Sequence, residues 1–187
     1  MEGSKGRLRE QVLADAETPE AVRMALRGGA ALESIHLDDR GRWWHEGEMF
    51  ENQKLSQLFS RSVFQTAGGV WFLQIGQQSY PVTVACTGHF AERLSSGVAH
   101  TTLELTTGEQ VEAGLEGWMT DGGERLGVRL ADGRDVRLIG AAHQAAVTLV
   151  ASGVAGWQLQ LGQGVAALGS WPAICLGVRL TVEASQG

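Results

Sequence analysis

One short string occurs twice in this chain, and it limits the possible folds more than any other feature. Leu73-Gln74-Ile75-Gly76-Gln77 returns as Leu159-Gln160-Leu161-Gly162-Gln163. Each copy follows an aromatic at the start of a strand-like run, Gly69-Val70-Trp71 in one and Ala155-Gly156-Trp157 in the other. Upstream of each is a helical pattern, and before that a hairpin turned by Asp39-Arg40-Gly41 or by Asp132-Gly133-Arg134. Downstream, Tyr80-Pro81 before Cys86 is answered by Trp171-Pro172 before Cys175. The shared order predicts a unit of hairpin, helix, strand and strand built twice, as duplication produces. The expected fold class is α+β with mostly antiparallel sheets. The seam between two such units is a natural cleft for a ligand.

Local signals divide the chain into a helical extension at 1–32, a first unit at 33–98 and a second at 99–187. Ser4 is expected to cap one helix, with Leu8, Val12 and Leu13 on its apolar side. Thr18 as cap, Pro19 at the first helical position and Gly28-Gly29 as stop predict another. Period-two alternation then predicts strands over 34–37 and 42–45, turned at Asp38-Asp39-Arg40-Gly41. Leu55, Leu58 and Phe59 fall at helical spacing after Asn52, a suitable cap. Strands are expected over 63–65, 70–75 and 81–86, over 100–106 and 110–115, and over 126–130 and 135–139 about Ala131-Asp132-Gly133. A helix is predicted over 141–151, then strands over 157–161, 165–168 and 174–182.

Composition serves mainly to exclude. An apolar fraction of 43% with 19% charged residues fits a globular chain. A net charge of -6 opposes general nucleic-acid binding and adsorption to anionic membrane. Two cysteines are too few for a disulfide framework or a four-thiolate zinc site. Lys5, Arg7, Arg9 and Glu10 without an apolar run give no signal peptide, so a cytoplasmic location is expected. No Asp, Glu, Lys or Arg occurs from Leu138 to Val178. Its histidine, glutamines and glycines favour a buried helix and core strands over a membrane span, with a self-association surface as the alternative.

Gly41-Arg42-Trp43-Trp44-His45-Glu46-Gly47, then Leu55-x-x-Leu58-Phe59-Ser60 and Val63, resembles the bacterial domain-of-unknown-function family 1285. In that family a glycine-tryptophan hairpin leads into a helix ending in a Leu-Phe-Ser type run. The likeness covers residues 33 to 150. It implies a duplicated core whose C-terminal half is pleckstrin-homology-like, an interdomain site for a nucleotide-like ligand and a role in signalling. The chain departs from the family pattern at Gly76-Gln77-Gln78-Ser79-Tyr80-Pro81, which lacks the acid and base usual there.

Candidate chemistry is sparse. Gly162-Gln163-Gly164-Val165-Ala166-Ala167 mimics a dinucleotide fingerprint, but Gly169-Ser170-Trp171-Pro172 leaves no room for the required helix, so a glycine hairpin is expected. Cys86-x-x-His89 has metal-site spacing, but a third and fourth ligand would have to come from far away. His45-Glu46-x-Glu48 places acids beside an imidazole, against which stands a solvated turn. Trp43 and Trp44 alternate faces, so one is core and the other is covered by the N-terminal helices or stacks on a planar ligand, with Arg42 close by. Arg129 and Arg137, on facing strands, could together hold an anion unless each is paired with an Asp.

These readings place ligand-binding residues at Arg42, Trp44, His45, Arg129 and Arg137, with no catalytic residue, metal or cofactor assigned. The expected function is a non-enzymatic ligand-binding or regulatory module taking a small anionic or nucleotide-like ligand between the repeats. The alternative is an oligomeric interaction protein that forms a homodimer through the uncharged C-terminal half.

Overall fold

The computed structural model describes residues 2–121, 125–154 and 156–171. It is an α+β structure in which helices flank mixed and antiparallel sheets. Two helices lead the chain, α1 (Glu2–Ala14) and α2 (Glu20–Arg27). Val12 and Leu26 from these helices close over Val70 and Phe72 in a small core of their own. The expected Thr18 cap does not form. Its hydroxyl donates to Val12 O at 2.7 Å, and Pro19 takes the cap position with extended backbone. The hydroxyl joins α1 to α2 instead.

The first hairpin is β1 (Ile35–Leu37) and β2 (Trp43–His45), extended by β3 (Glu48–Met49). That third strand was not expected. It arises from Glu46 and Gly47, both at positive φ, which form a tight two-residue turn between β2 and β3. Helix α3 (Gln53–Ser62) begins where Asn52 Oδ1 accepts from Lys54 N and Leu55 N, as the sequence predicts. The strands β4 (Val63–Gln65), β5 (Trp71–Ile75) and β6 (Gln78–Val84) continue as a meander. Strand β6 returns parallel to β1, giving the six-stranded order β3-β2-β1-β6-β5-β4. Trp43 is buried at its centre, edge-on to Phe59 at 5.5 Å, with its indole N–H donating to Ser60 Oγ at 3.0 Å.

The next strand, β7 (His89–Ser96), was also missed as an element. It lies in the middle of a second sheet with β8 (Thr101–Leu105), β9 (Gln110–Ala113), β10 (Trp118–Thr120), β11 (Leu126–Arg129) and β12 (Asp135–Leu138). The order is β16-β10-β11-β12-β7-β8-β9, where β16 is Gly169–Ser170 and β7 runs parallel to β12. The second sheet therefore starts at β7, ahead of residue 98. Helix α4 (Gly140–Thr148) is shorter than predicted because β13 (Val150–Gly153) leaves it to pair with β14 (Gly156–Leu161), which pairs with β15 (Gly164–Ala167). Among the described residues no helix is long and apolar enough to cross a membrane. The strand expected over 174–182 lies outside the described residues.

The repeat survives in the local geometry. Ile75 pairs with Gln78 across Gly76-Gln77, and Leu161 pairs with Gly164 across Gly162-Gln163, so each copy of the string closes a two-residue hairpin. This also makes the fingerprint-like glycines a turn between antiparallel strands.

The two sheets meet at the first hairpin turn. Gly41 has φ +77, and a Cβ there would lie 3.0 Å from the Phe90 ring. Gly41→Ala should therefore lower unfolding free energy by about 1–3 kcal/mol in urea titration, from backbone strain and the displaced ring together. A loss within error would show that the turn and Phe90 move apart at little cost.

Candidate functional site

A cleft of about 640 Å³ opens between the two sheets. One wall is the edge of the first sheet, Val63, Phe64 and Gln65 of β4 with Trp71 of β5. The other is the β11–β12 hairpin, with Arg129, Asp132, Gly133, Arg134 and Asp135. Cys86, Thr87 and His89, from the link between β6 and β7, line the floor. A smaller lobe of about 420 Å³ continues from it, sharing His89 and Arg134.

The aromatic wall is fixed from below. Gly88 is packed against the Trp71 ring, where a Cβ would come within 2.5 Å of it. Trp71 is half-buried and edge-on to His89 at 6.5 Å between centroids, while Phe64 stacks on Phe72 at 5.8 Å and remains 39% exposed. The charged wall is a set of ion pairs. Arg129 binds Asp135 through both carboxylate oxygens at 2.7 and 2.9 Å. Arg134 binds both oxygens of Glu109 at 2.9 Å and Asp132 at 2.8 Å. The Arg134 bond holds Glu109 below the usual carboxylate range, and bonds from the Arg134 backbone and side chain do the same for Asp132. The Glu109 and Asp132 carboxylates hold the Arg134 proton more firmly in turn.

His89 sits where the two lobes join. Burial pushes its pKa down and the Arg134 charge adds to that, so the imidazole is neutral near pH 7. Burial also pushes down the pKa of His36, whose Nδ1 lies 2.9 Å from Thr83 Oγ1.

Of the five residues singled out from sequence, Arg129 lines this cleft and the others lie elsewhere. Arg42 donates to Asp38 at 2.8 Å and lies 5.3 Å from the Trp44 ring centroid, and Trp44 donates its indole N–H to the same carboxylate at 3.0 Å. Trp44 is thus covered by its own hairpin, whereas the N-terminal helices pack on Val70 and Phe72. Burial pushes the Asp38 carboxyl up, but the bonds from Arg42, Trp44 and Arg40 hold it low. His45 lies 3.3 Å from Glu33 and stacks on Phe50. Arg137 is 8% exposed at the junction of the sheets, 3.8 Å from Asp39, a carboxylate that Arg125 holds at 3.0 Å. Its Nε and Nη1 have no hydrogen-bond partner among the described residues.

Trp71, His89, Arg134, Arg61 and Glu109 were not proposed from sequence as ligand-binding residues. Three had left a trace, Trp71 and Arg134 in the repeat and His89 in Cys86-x-x-His89. Cys86, in the floor of the cleft, packs with Met119 and Trp171, and among the described residues no His, Cys, Asp and Glu cluster could hold a metal. Cys175 lies outside the described residues.

No family model and no curated protein matches the chain. Among solved structures, a DUF1285 family protein from Silicibacter pomeroyi is similar with a TM-score of 0.58 at 14% identity, over 73% of this chain and 80% of that one. The chain has the DUF1285 fold. A second DUF1285 protein, from Shewanella baltica, gives a TM-score of 0.42 at 12% identity, over 57% of this chain and 84% of that one. The DUF1285 fold agrees with the resemblance read from Gly41 to Ser60, and the likeness extends to fold alone.

Two substitutions test the packing and the charge around this junction. Arg137→Met should leave unfolding free energy within about 1 kcal/mol or raise it, because Arg125 keeps Asp39 paired and two unbonded buried N–H groups disappear. A loss of several kcal/mol would show that Arg137 is fully satisfied. Both lowered histidines bind protons more readily unfolded, where they titrate near 6.5. Stability should therefore fall as pH drops below that value toward their folded pKa values, by at most about 1.4 kcal/mol per pH unit for His89. Urea titrations across the window should show a shallower slope in His36→Gln/His89→Gln, and an unchanged slope would assign it to other groups.

Proposed function

We propose that the protein is a non-enzymatic ligand-binding module of a regulatory kind, and that the cleft between its sheets takes a small anionic ligand with a planar body. One observation carries the reading: Trp71, held in place over Gly88, faces a wall that presents Arg129 and Arg134. A planar group stacking on an indole and an anion meeting guanidinium groups are the interactions such walls favour. The arginines are already paired, but partly exposed ion pairs contribute only about 0–1 kcal/mol, so a ligand anion can take over such contacts at small cost. A nucleotide satisfies this description, as does any aryl phosphate or sulfonate. The paired charges and the neutral imidazole do not by themselves assemble a nucleophile with its base, which favours binding over catalysis.

Thermal unfolding against nucleotides and aryl anions tests the reading, with tryptophan fluorescence recorded in parallel. A ligand at a hundredfold its Kd should add about 2.7 kcal/mol of stability and perturb the Trp71 signal. Trp71→Ala should abolish the effect, and Gly88→Ala should weaken it by displacing the ring without removing any cleft side chain. Binding that survives both substitutions would move the site elsewhere.

A further inference from the structure

The smaller lobe lies between the last turn of α3 and the β8–β9 turn, lined by Ser60, Arg61, His89, Thr107, Glu109 and Arg134. Ser60 is 7% exposed, and its oxygen already accepts the buried Trp43 indole proton. Its own hydrogen has no acceptor among the described residues and is left to donate into the lobe. Arg61 gives Nε and Nη2 to Thr107 O at 2.8 and 2.6 Å, keeping its other edge for the lobe. The His89 ring makes no hydrogen bond among the described residues; its ring contact is the edge of Trp71.

Charge decides what such a lobe can hold. Arg61 and Arg134 supply two positive charges to the lobe and Glu109 one negative charge, while Asp132, in the larger cleft but bonded to Arg134 and acting on His89, supplies the second. Asp135 also acts on His89 from the hairpin wall, where it is paired with Arg129. With a neutral imidazole the lobe is balanced. An anion entering alone would leave an uncompensated charge in a half-enclosed space, which is costly. One proton on His89 restores the balance and adds a charge-assisted donor.

We propose that this lobe is a subsite for a sulfate- or phosphate-ester group, bound by the Ser60 hydroxyl and the Arg61 and Arg134 guanidinium groups, with His89 taking up a proton as the group enters. The inference rests on the reading of the larger cleft as a ligand site and specifies the chemistry of one end of that ligand. No bond in the ligand forms or breaks. The proton comes from solvent and returns there on release. Affinity therefore falls as pH rises from the free-state pKa of His89 to its bound-state pKa, the window in which binding takes up the proton, and is level above it.

Two probes of equal shape separate the lobe from the cleft: naphthalene-2-sulfonate, which does not titrate near neutral pH, and the neutral naphthalene-2-sulfonamide. Calorimetry in two buffers of different ionisation enthalpy should show proton uptake with the sulfonate alone. Sulfonate affinity should rise about tenfold from about pH 8 to about pH 6. His89→Gln should abolish the uptake and the pH dependence of sulfonate binding, whatever it does to the affinity itself. Glu109→Gln, at an exposed position, should raise sulfonate affinity about threefold by removing the competing carboxylate. Sulfonate binding that is tighter than sulfonamide binding and lost in Trp71→Ala, but shows no proton uptake, would overturn the subsite and leave the cleft reading standing. If neither probe binds at millimolar concentration, the cleft reading falls and the subsite with it.

Discussion

The chain crosses from one sheet to the other in a single short step, and the cleft exists because of it. Strand β6 ends at Val84 beside β1, and β7 begins at His89 beside β12. Five peptide steps reach at most about 18 Å, so the sheets are forced into contact at this point. The link must also pass beneath Trp71, which explains a glycine at position 88. Both crossings are parallel, so each hairpin receives on its inner edge a strand from the same continuous run. Relative position of the sheets, floor of the cleft and height of the aromatic wall are thereby set together.

Electrostatic balance is the second organising fact. Arg61, Arg129 and Arg134 face Glu109, Asp132 and Asp135 around the two lobes, and the opposed charges are equal in number. Such pairs contribute little to stability when partly exposed. They do hold the guanidinium planes in fixed orientation, so less side-chain freedom is lost when a ligand arrives. On the proposed reading, an anion entering this cleft exchanges one weak partner for another, which suits reversible binding more than tight capture. His89, like Arg61, has no carboxylate bonded to it among the described residues, and the proposed proton uptake relies on that.

Much of the architecture was legible because it rests on short-range chemistry. Asn52 capping α3, the glycine turns and the glycine hairpin at Gly162-Gln163 all depend on residues within a few positions of one another, whereas β6 begins at Gln78, three residues before the strand expected from Pro81. Strand β7 was not legible: Glu92 and Arg93 interrupt its apolar pattern, and its pairing with β12 and β8 is decided far along the chain. The site suffered the same way. Arg42, Trp44 and Arg129 attracted notice as arginine and tryptophan on strands, yet Asp38 and Asp135, close in sequence, already occupy them. Asp-Asp at 38–39 and the Asp before Val136 were visible signs of that pairing. His89 and Trp71 became neighbours only through the crossover, which no local pattern announces.

The two copies of the string differ in what stands against their tryptophans. Leu73 and Leu159 are both buried and both strings close the same hairpin, so the copies agree wherever the core constrains them. They part at the aromatic two positions earlier. Trp71 is half-buried over Gly88, whereas Trp157 is 61% exposed at the start of β14. The difference lies in where the chain goes after each meander. The first returns through β6 to its own hairpin and passes on into β7, bringing a second sheet against its tryptophan. In the second copy the place beside the hairpin is already taken by β7, and β13, β14 and β15 form a separate three-stranded sheet among the described residues. The two strings carry similar tryptophans, and among the described residues the step from β6 into β7 gives one of them a wall to face.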